Sequence, residues 1–268
     1  MVQNISAPIS LDKFEIELQR MGKSNNTVRV YSNNVRTFHA AGIPDPLDWL
    51  IEARNSGASP ATLKARMAAL RAWSLHTGDA ATHTALCNYK LPTVGTPTPH
   101  PIWGGIAVVR AVLSTVTDPR VRVLISLGAF AGLRVSESLS VTGRSWDRTT
   151  NELVITGKGG KTRSVPVSTE LAAILAVNQP VNPRSKLVNL QDRRARDLIT
   201  QAFSKLGITH PNGEKIASHD LRATFATEVY QNTKDPLLVQ NYLGHSDLKT
   251  TQVYLGIADS VRKSGVEF

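Results

Sequence analysis

His219 and Arg222 stand three residues apart, and Tyr254 follows His245 by nine residues. An arginine fork grips two oxygens of one phosphate. Histidine can donate to such oxygens or carry a proton near neutral pH. A tyrosine hydroxyl can attack phosphorus and form a covalent intermediate. These residue types together suit phosphoryl transfer to a tyrosine. Three ordinary amphipathic helices would account for Leu221, Phe225, Val229, Leu238, Val239 and Leu243 as core positions. They would not account for H-x-x-R followed by L-G-H-S-D-x-x-T-T-x-x-Y in a single stretch. A zinc site from His219, His245 and an aspartate is the metal alternative, although Arg222 beside it would repel the cation.

Local signals predict the elements that carry these residues. Ser218 is an N-cap type, and a helix is expected from it to about Asn232, with His219 and Arg222 on one face. Asp235 and Pro236 open a second helix that Gly244 closes. Ser246 or Asp247 caps a third helix bearing Tyr254. Upstream, Pro119 to Ala131 reads as a helix broken by Gly132, with Arg134 opening the next and Glu137 one turn on. Glu152 to Val167 reads as two β-branched runs around a G-K-G-G-K turn, a hairpin signal. The turn lacks the spacing of a Walker phosphate loop.

The stretch from Ser218 to Leu255 resembles the catalytic end of the tyrosine recombinases, the phage integrase family that includes the Xer proteins. That family carries H-x-L-R, then L-G-H-x-x-x-x-T-x-x-Y, and upstream G-L-R-x-S-E, which stands here at Gly132 to Glu137. The resemblance implies catalytic roles for Arg134, Lys158, His219, Arg222, His245 and Tyr254. Glu137 would orient Arg134. Lys158, the first lysine of the hairpin turn, would be the general acid, with Lys161 as the alternative in the same turn. Tyr254 would attack the scissile phosphate to give a 3′-phosphotyrosine and a free 5′-hydroxyl. Arg134 and Arg222 would hold the non-bridging oxygens, His219 would accept the tyrosine proton, and His245 would bond the phosphate. No cofactor and no metal is implied. Ala223 follows Arg222 where histidine is frequent in the family, a change expected to affect local packing. A type IB topoisomerase uses a similar residue set, and a non-catalytic DNA-binding factor could keep the fold. These are the two alternatives.

The 268 residues carry a formal net charge of +10. Such a balance favours a polyanionic partner through counterion release, with an anionic membrane surface as the rival; the resemblance implies that the partner is double-stranded DNA. No run of apolar residues is long enough to span a bilayer, and the N-terminus has no secretory pattern. A single cysteine, Cys87, precludes an internal disulfide and fits a reducing cytoplasm, in a bacterial or phage-infected cell.

The expected fold class is mainly α with a small antiparallel β-sheet. Residues 1–90 would form a helical core-binding domain, 91–102 a proline-rich linker, and 103–268 a mixed α/β catalytic domain. Four helices are expected in the first domain: Leu11 to Met21, Thr27 to Ala41, Pro46 to Ala53 and Pro60 to His76. Candidate DNA contacts there are Lys23, Asn26, Arg29, Lys64 and Arg66, with Arg36 and Arg71 on the same helices. In the second domain they are Lys161, Arg163, Arg193 and Arg194, the last two on a basic helix from Arg193 to Leu206.

The resemblance further implies that the two domains clamp DNA and that a homotetramer forms on two paired sites, from a monomer or weak dimer off DNA. Ile257 to Phe268 would dock on a neighbouring protomer. Only about ten residues precede the first expected helix, so a separate arm-binding domain is not expected. An accessory directionality factor remains compatible, as do integration, excision and chromosome-dimer resolution. Phage or mobile-element integration and excision is the setting this resemblance favours.

Overall fold

The computed structural model describes residues 10–91, 100–157 and 160–244. The chain divides between Thr96 and Pro97 into two compact units, each with its own core. The mainly helical class with a small antiparallel sheet is what the structure has. No helix among the described residues is long and apolar enough to cross a membrane.

The first unit contains α1 (Leu11–Arg20), α2 (Asn25–Ala41), α3 (Pro46–Asn55), α4 (Pro60–Thr77) and α5 (Ala80–Asn88). Side-chain caps start the longer helices: Ser24 Oγ accepts the Thr27 N–H at 3.3 Å, and Ser59 Oγ accepts the Thr62 N–H at 3.2 Å. Phe14, Leu18, Val28, Val35 and Trp73 form one buried group, with Phe14 edge-on to Trp73 at 5.2 Å. Phe38, Trp49, Leu50, Met67, Leu70 and Leu86 form another.

The fifth helix is not among the four expected. Only Leu86 of α5 is buried, so the segment has almost no apolar period to display. It is held from outside itself. Asp79 caps it by accepting the Thr82 N–H at 2.9 Å, and Arg71 Nη2 donates to the Leu86 carbonyl at 2.8 Å. Arg71, grouped above with residues facing DNA, is therefore spent inside the unit.

Early in the second unit, Ile102 is buried and donates its N–H to Thr224 Oγ1 at 2.9 Å. Then come α6 (Gly105–Thr115), α7 (Pro119–Ala131), the single-turn α8 (Val135–Ser138), β1 (Trp146–Asp147), β2 (Glu152–Thr156), β3 (Thr162–Pro166), α9 (Thr169–Val177), α10 (Asp192–Ser204), α11 (Ser218–Thr233) and α12 (Pro236–Leu243). Nine of the thirteen residues of α7 are buried, because α6, α8, α9, α10 and α11 all pack on it. A helix apolar on every side is a central helix. It presents its C-terminal end, with Gly132 and Arg134, to α11.

The sheet runs β1-β2-β3, antiparallel throughout. The expected hairpin is β2 and β3, with the turn closed by the Gly157 N–H on the Lys161 carbonyl at 2.8 Å. The edge strand β1 is an addition; its two residues pair with Leu153 and Glu152. Leu153, Ile155 and Val165 are buried on one face of the sheet. Ile155 stands directly across from Arg163, so period-two alternation puts Arg163 on that same inward face.

Candidate active site

The site is built where α7, α8, α11, α12 and β3 end or begin. At the end of α7, Gly132 adopts φ +65°, the left-handed cap conformation. It also sits against α11 and α12: a Cβ there would lie 2.4 Å from Phe225 Cδ1 and 3.0 Å from Leu243 Cδ2. Glycine is therefore required twice over, by conformation and by space. The chain then turns into α8 with Arg134 at the N-cap position.

Glu137 is the centre of the arrangement. Its side chain is 6% exposed and faces three arginines. Oε2 accepts the Arg134 backbone N–H at 2.9 Å, and Oε1 accepts Arg134 Nη1 at 3.0 Å. Arg163 donates to both oxygens, Nη1 to Oε1 at 3.1 Å and Nη2 to Oε2 at 2.9 Å. Arg222 Nη1 lies 3.7 Å from Oε2. Burial pushes the Glu137 carboxyl pKa up, but the Arg163 and Arg134 hydrogen bonds and the Arg163 and Arg222 charges overcome it, leaving a pKa lowered to about 2. One permanent anion against three permanent cations leaves the cluster strongly positive.

Arg222 is fully buried. Its Nη1 donates to the Gly132 carbonyl and its Nη2 to the Leu243 carbonyl at 2.6 Å. These carbonyls belong to the C-terminal ends of α7 and α12, where helix oxygens lack intrahelical partners and carry partial negative charge. Arg163 Nε takes the neighbouring Tyr242 carbonyl at 2.8 Å. Two guanidiniums thus fasten the end of α12 to the cluster. Gly244, with φ +63°, then caps α12 directly against the Arg163 stem.

His219 lies in the first turn of α11, one turn before Arg222. It reaches solvent, yet its pKa is lowered, first by lost solvation and then by the Arg222, Arg134 and Arg196 charges, with Asp220 opposing. The imidazole is therefore held neutral at pH 7 and can accept a proton. The start of α11 differs in detail from expectation. Ala217, not Ser218, is at the N-cap, and the Asp220 carboxylate accepts the Ala217 N–H at 2.7 Å. Ser218 Oγ instead accepts from Arg196 Nη1 at 3.3 Å. Asp220 also pairs with buried His210 Nε2 at 3.0 Å, a contact the loop sequence gives no sign of.

The structure thus brings together Arg134, Glu137, His219 and Arg222, and adds Arg163. Lys158, His245 and Tyr254, the helix expected to carry Tyr254, and the segment Ile257 to Phe268 lie outside the described residues. Among the described residues no group of three or more His, Cys, Asp or Glu could hold a metal ion.

Of the expected DNA contacts, Lys23, Asn26, Arg29, Lys64, Lys161, Arg193 and Arg194 are exposed. Asn26 Oδ1 accepts from Arg29 Nη2 at 2.9 Å. Arg66 is half-buried, with its guanidinium 4.3 Å from the centre of the Trp49 ring. Arg163 departs from the expectation of a DNA backbone contact. Its side chain is 11% exposed and committed to Glu137 and Tyr242, because β3 alternation turns it inward.

Residues 108–260 match the Phage integrase family. The tyrosine recombinase XerA of Thermococcus onnurineus is 30% identical over 95% of this chain and 93% of its own length.

The chain belongs to the phage integrase family and is a tyrosine-type site-specific recombinase.

Two solved structures share its fold. One is the XerH site-specific recombinase in a post-cleavage complex with a palindromic difH substrate, at TM-score 0.69 and 18% identity, covering 96% of this chain and 84% of that one. The other is a lambda integrase tetramer bound to a Holliday junction, at TM-score 0.70 and 16% identity, covering 88% of this chain and 76% of that one. In this recombinase, the arginine cluster and the neutral histidine at the head of α11 stand together on the side-chain framework described above.

Proposed function

We propose that this recombinase cleaves and rejoins double-stranded DNA through a 3′-phosphotyrosine on Tyr254, exchanging strands between two copies of one site. The observation that carries the reading is the Glu137-centred cluster. Arg134, with its side chain 43% exposed, stands at the solvent side of a net positive group, and a neutral His219 accompanies it. Such a group stabilises charge that develops on phosphate oxygens without rearranging when it appears.

The steps follow from these properties. Tyr254 Oη attacks phosphorus as its proton passes to His219. Arg134 neutralises the non-bridging oxygens, and buried Arg222, whose Nη1 and Nη2 hold the Gly132 and Leu243 carbonyls, adds positive charge behind it. Lys158 protonates the departing 5′-oxygen, a contribution of roughly 10²–10⁴-fold for a placed acid. His245 donates to the phosphate. A 5′-hydroxyl from the partner duplex then attacks the phosphotyrosine, and the phosphodiester energy is conserved in the covalent link.

The exposed cations of α2, α4 and α10 supply contacts to the DNA backbone in this reading. The post-cleavage DNA complex of XerH and the lambda integrase tetramer on a Holliday junction support assembly as a homotetramer on two paired sites. The Xer name of the relative favours a Xer-type exchange over the viral integration that the family name suggests.

The test is incubation with a supercoiled plasmid carrying two copies of a site selected for covalent capture by the protein. Deletion or inversion products are expected. Relaxation without recombinants would assign a topoisomerase, and a gel shift without adduct would assign a binding factor.

A further inference from the structure

Arg163 is the member of the Glu137 cluster to which the chemistry above gives no task. From β3 its guanidinium reaches two other elements, α8 through both oxygens of Glu137 and α12 through the Tyr242 carbonyl. That uses three donors of one rigid planar fork, a geometry lysine cannot reproduce. The fit extends to its stem, since a Cβ on Gly244 would lie 2.9 Å from Arg163 Cδ.

The sharing of Glu137 is unequal. Arg163 holds both carboxylate oxygens, whereas the Arg134 side chain makes a single bond, to Oε1. Oε2 also carries the Arg134 backbone N–H. While Arg163 is in place, the carboxylate has little capacity left to grip the Arg134 guanidinium with two prongs. Without Arg163 that capacity opens. A two-pronged pair would then draw Arg134 down onto Glu137, away from the solvent side where a phosphate must be met.

We propose that Arg163 is a positioning residue for strand cleavage: it occupies Glu137 so that Arg134 remains available to phosphate, and it fastens the β2–β3 hairpin to the end of α12. The hairpin turn holds Lys158 and Lys161, and α12 leads directly to Gly244 and His245. This inference rests on the strand-cleavage reading above.

The experiment uses the full chain and a duplex selected from a random-sequence pool by its capture in a detergent-stable adduct with the wild-type protein. Duplex affinity and single-turnover cleavage rate are measured for wild type, Arg163→Met, Arg163→Lys, Glu137→Gln and the double variant Arg163→Met/Glu137→Gln. Loss of hydrogen bonds between charged groups predicts that Arg163→Met slows cleavage about 10- to 100-fold with affinity unchanged. The double variant should cleave faster than Arg163→Met, because removing the carboxylate charge releases Arg134. A residue that merely supports the fold predicts the opposite order, with the double variant slowest.

Arg163→Lys keeps the charge and covers the case in which Arg163→Met does not fold. It should also be slowed, and Glu137→Gln added to it should restore rate. Wild-type cleavage in either Arg163 variant, or a double variant no faster than its Arg163 parent, overturns the proposal alone. Absence of any adduct with wild-type protein, or an adduct that survives Tyr254→Phe, overturns the strand-cleavage reading and this proposal with it.

Discussion

Replacing Glu137 by glutamine removes the one anion that the buried arginines share. The pKa of Glu137, lowered from 4.5 to about 2, sets the size of the effect. A difference of roughly 2.5 units at about 1.36 kcal/mol each comes to about 3 kcal/mol of stability. Breaking one side of a buried ion pair costs about 3–5 kcal/mol, a range that includes this figure. In a unit of this size that is a fall of about 6–12 °C in melting temperature. The sign with pH follows. The folded pKa is depressed, so the contribution is complete above about pH 4.5 and is lost as pH falls towards 2. The stability gap between wild type and Glu137→Gln should therefore be full at pH 7 and shrink steadily below pH 4.5. Urea denaturation with pulsed hydrogen exchange, read on peptides from α7 and α11, reports this unit separately from the first. A gap below about 1 kcal/mol at pH 7, or one that stays constant down to pH 3, would refute the view that the carboxylate is an ionised keystone.

Further predictions concern the surroundings of that keystone. Gly132→Ala combines a left-handed backbone with a methyl group 2.4 Å from Phe225 Cδ1, and should lower stability by about 2–4 kcal/mol in the same assay. His219 has a lowered pKa in the DNA-free protein, so cleavage at subsaturating DNA, which reports the free enzyme, should hold its rate as pH falls to 6.5 and decline only below it. His219→Gln should lose that acid limb together with most of the rate. Lys158→Ala should be severely slow on ordinary DNA and nearly restored when the 5′-bridging oxygen is sulfur, a leaving group that needs no acid. Rescue of Lys161→Ala instead would move the role three residues along the turn.

Much of this site is legible in the sequence because its residues are bound to strong local signals. Gly132 stops an apolar helix, Glu137 follows Arg134 by one turn of α8, and Asp235-Pro236 and Gly244 bracket α12. What escapes is set by tertiary contact. α5 buries only Leu86, so its sequence has no face to show. β1 is two residues long and exists because β2 offers an edge. Arg163 is the instructive case. Charge and a place beside the basic turn suggest a DNA contact, whereas alternation with Val165 says inward. The alternation decides, because a buried carboxylate and a helix C-terminus are there to receive the guanidinium.

Cleavage as proposed joins Tyr254 covalently to a 3′-phosphate. The direct measurement is peptide mass spectrometry of the detergent-stable adduct after nuclease digestion. A single modified peptide is expected, with a nucleotide attached through its 3′-phosphate to Tyr254, and no adduct from Tyr254→Phe. Attachment at any other residue, a 5′-linked nucleotide, or an adduct that persists in Tyr254→Phe would contradict it.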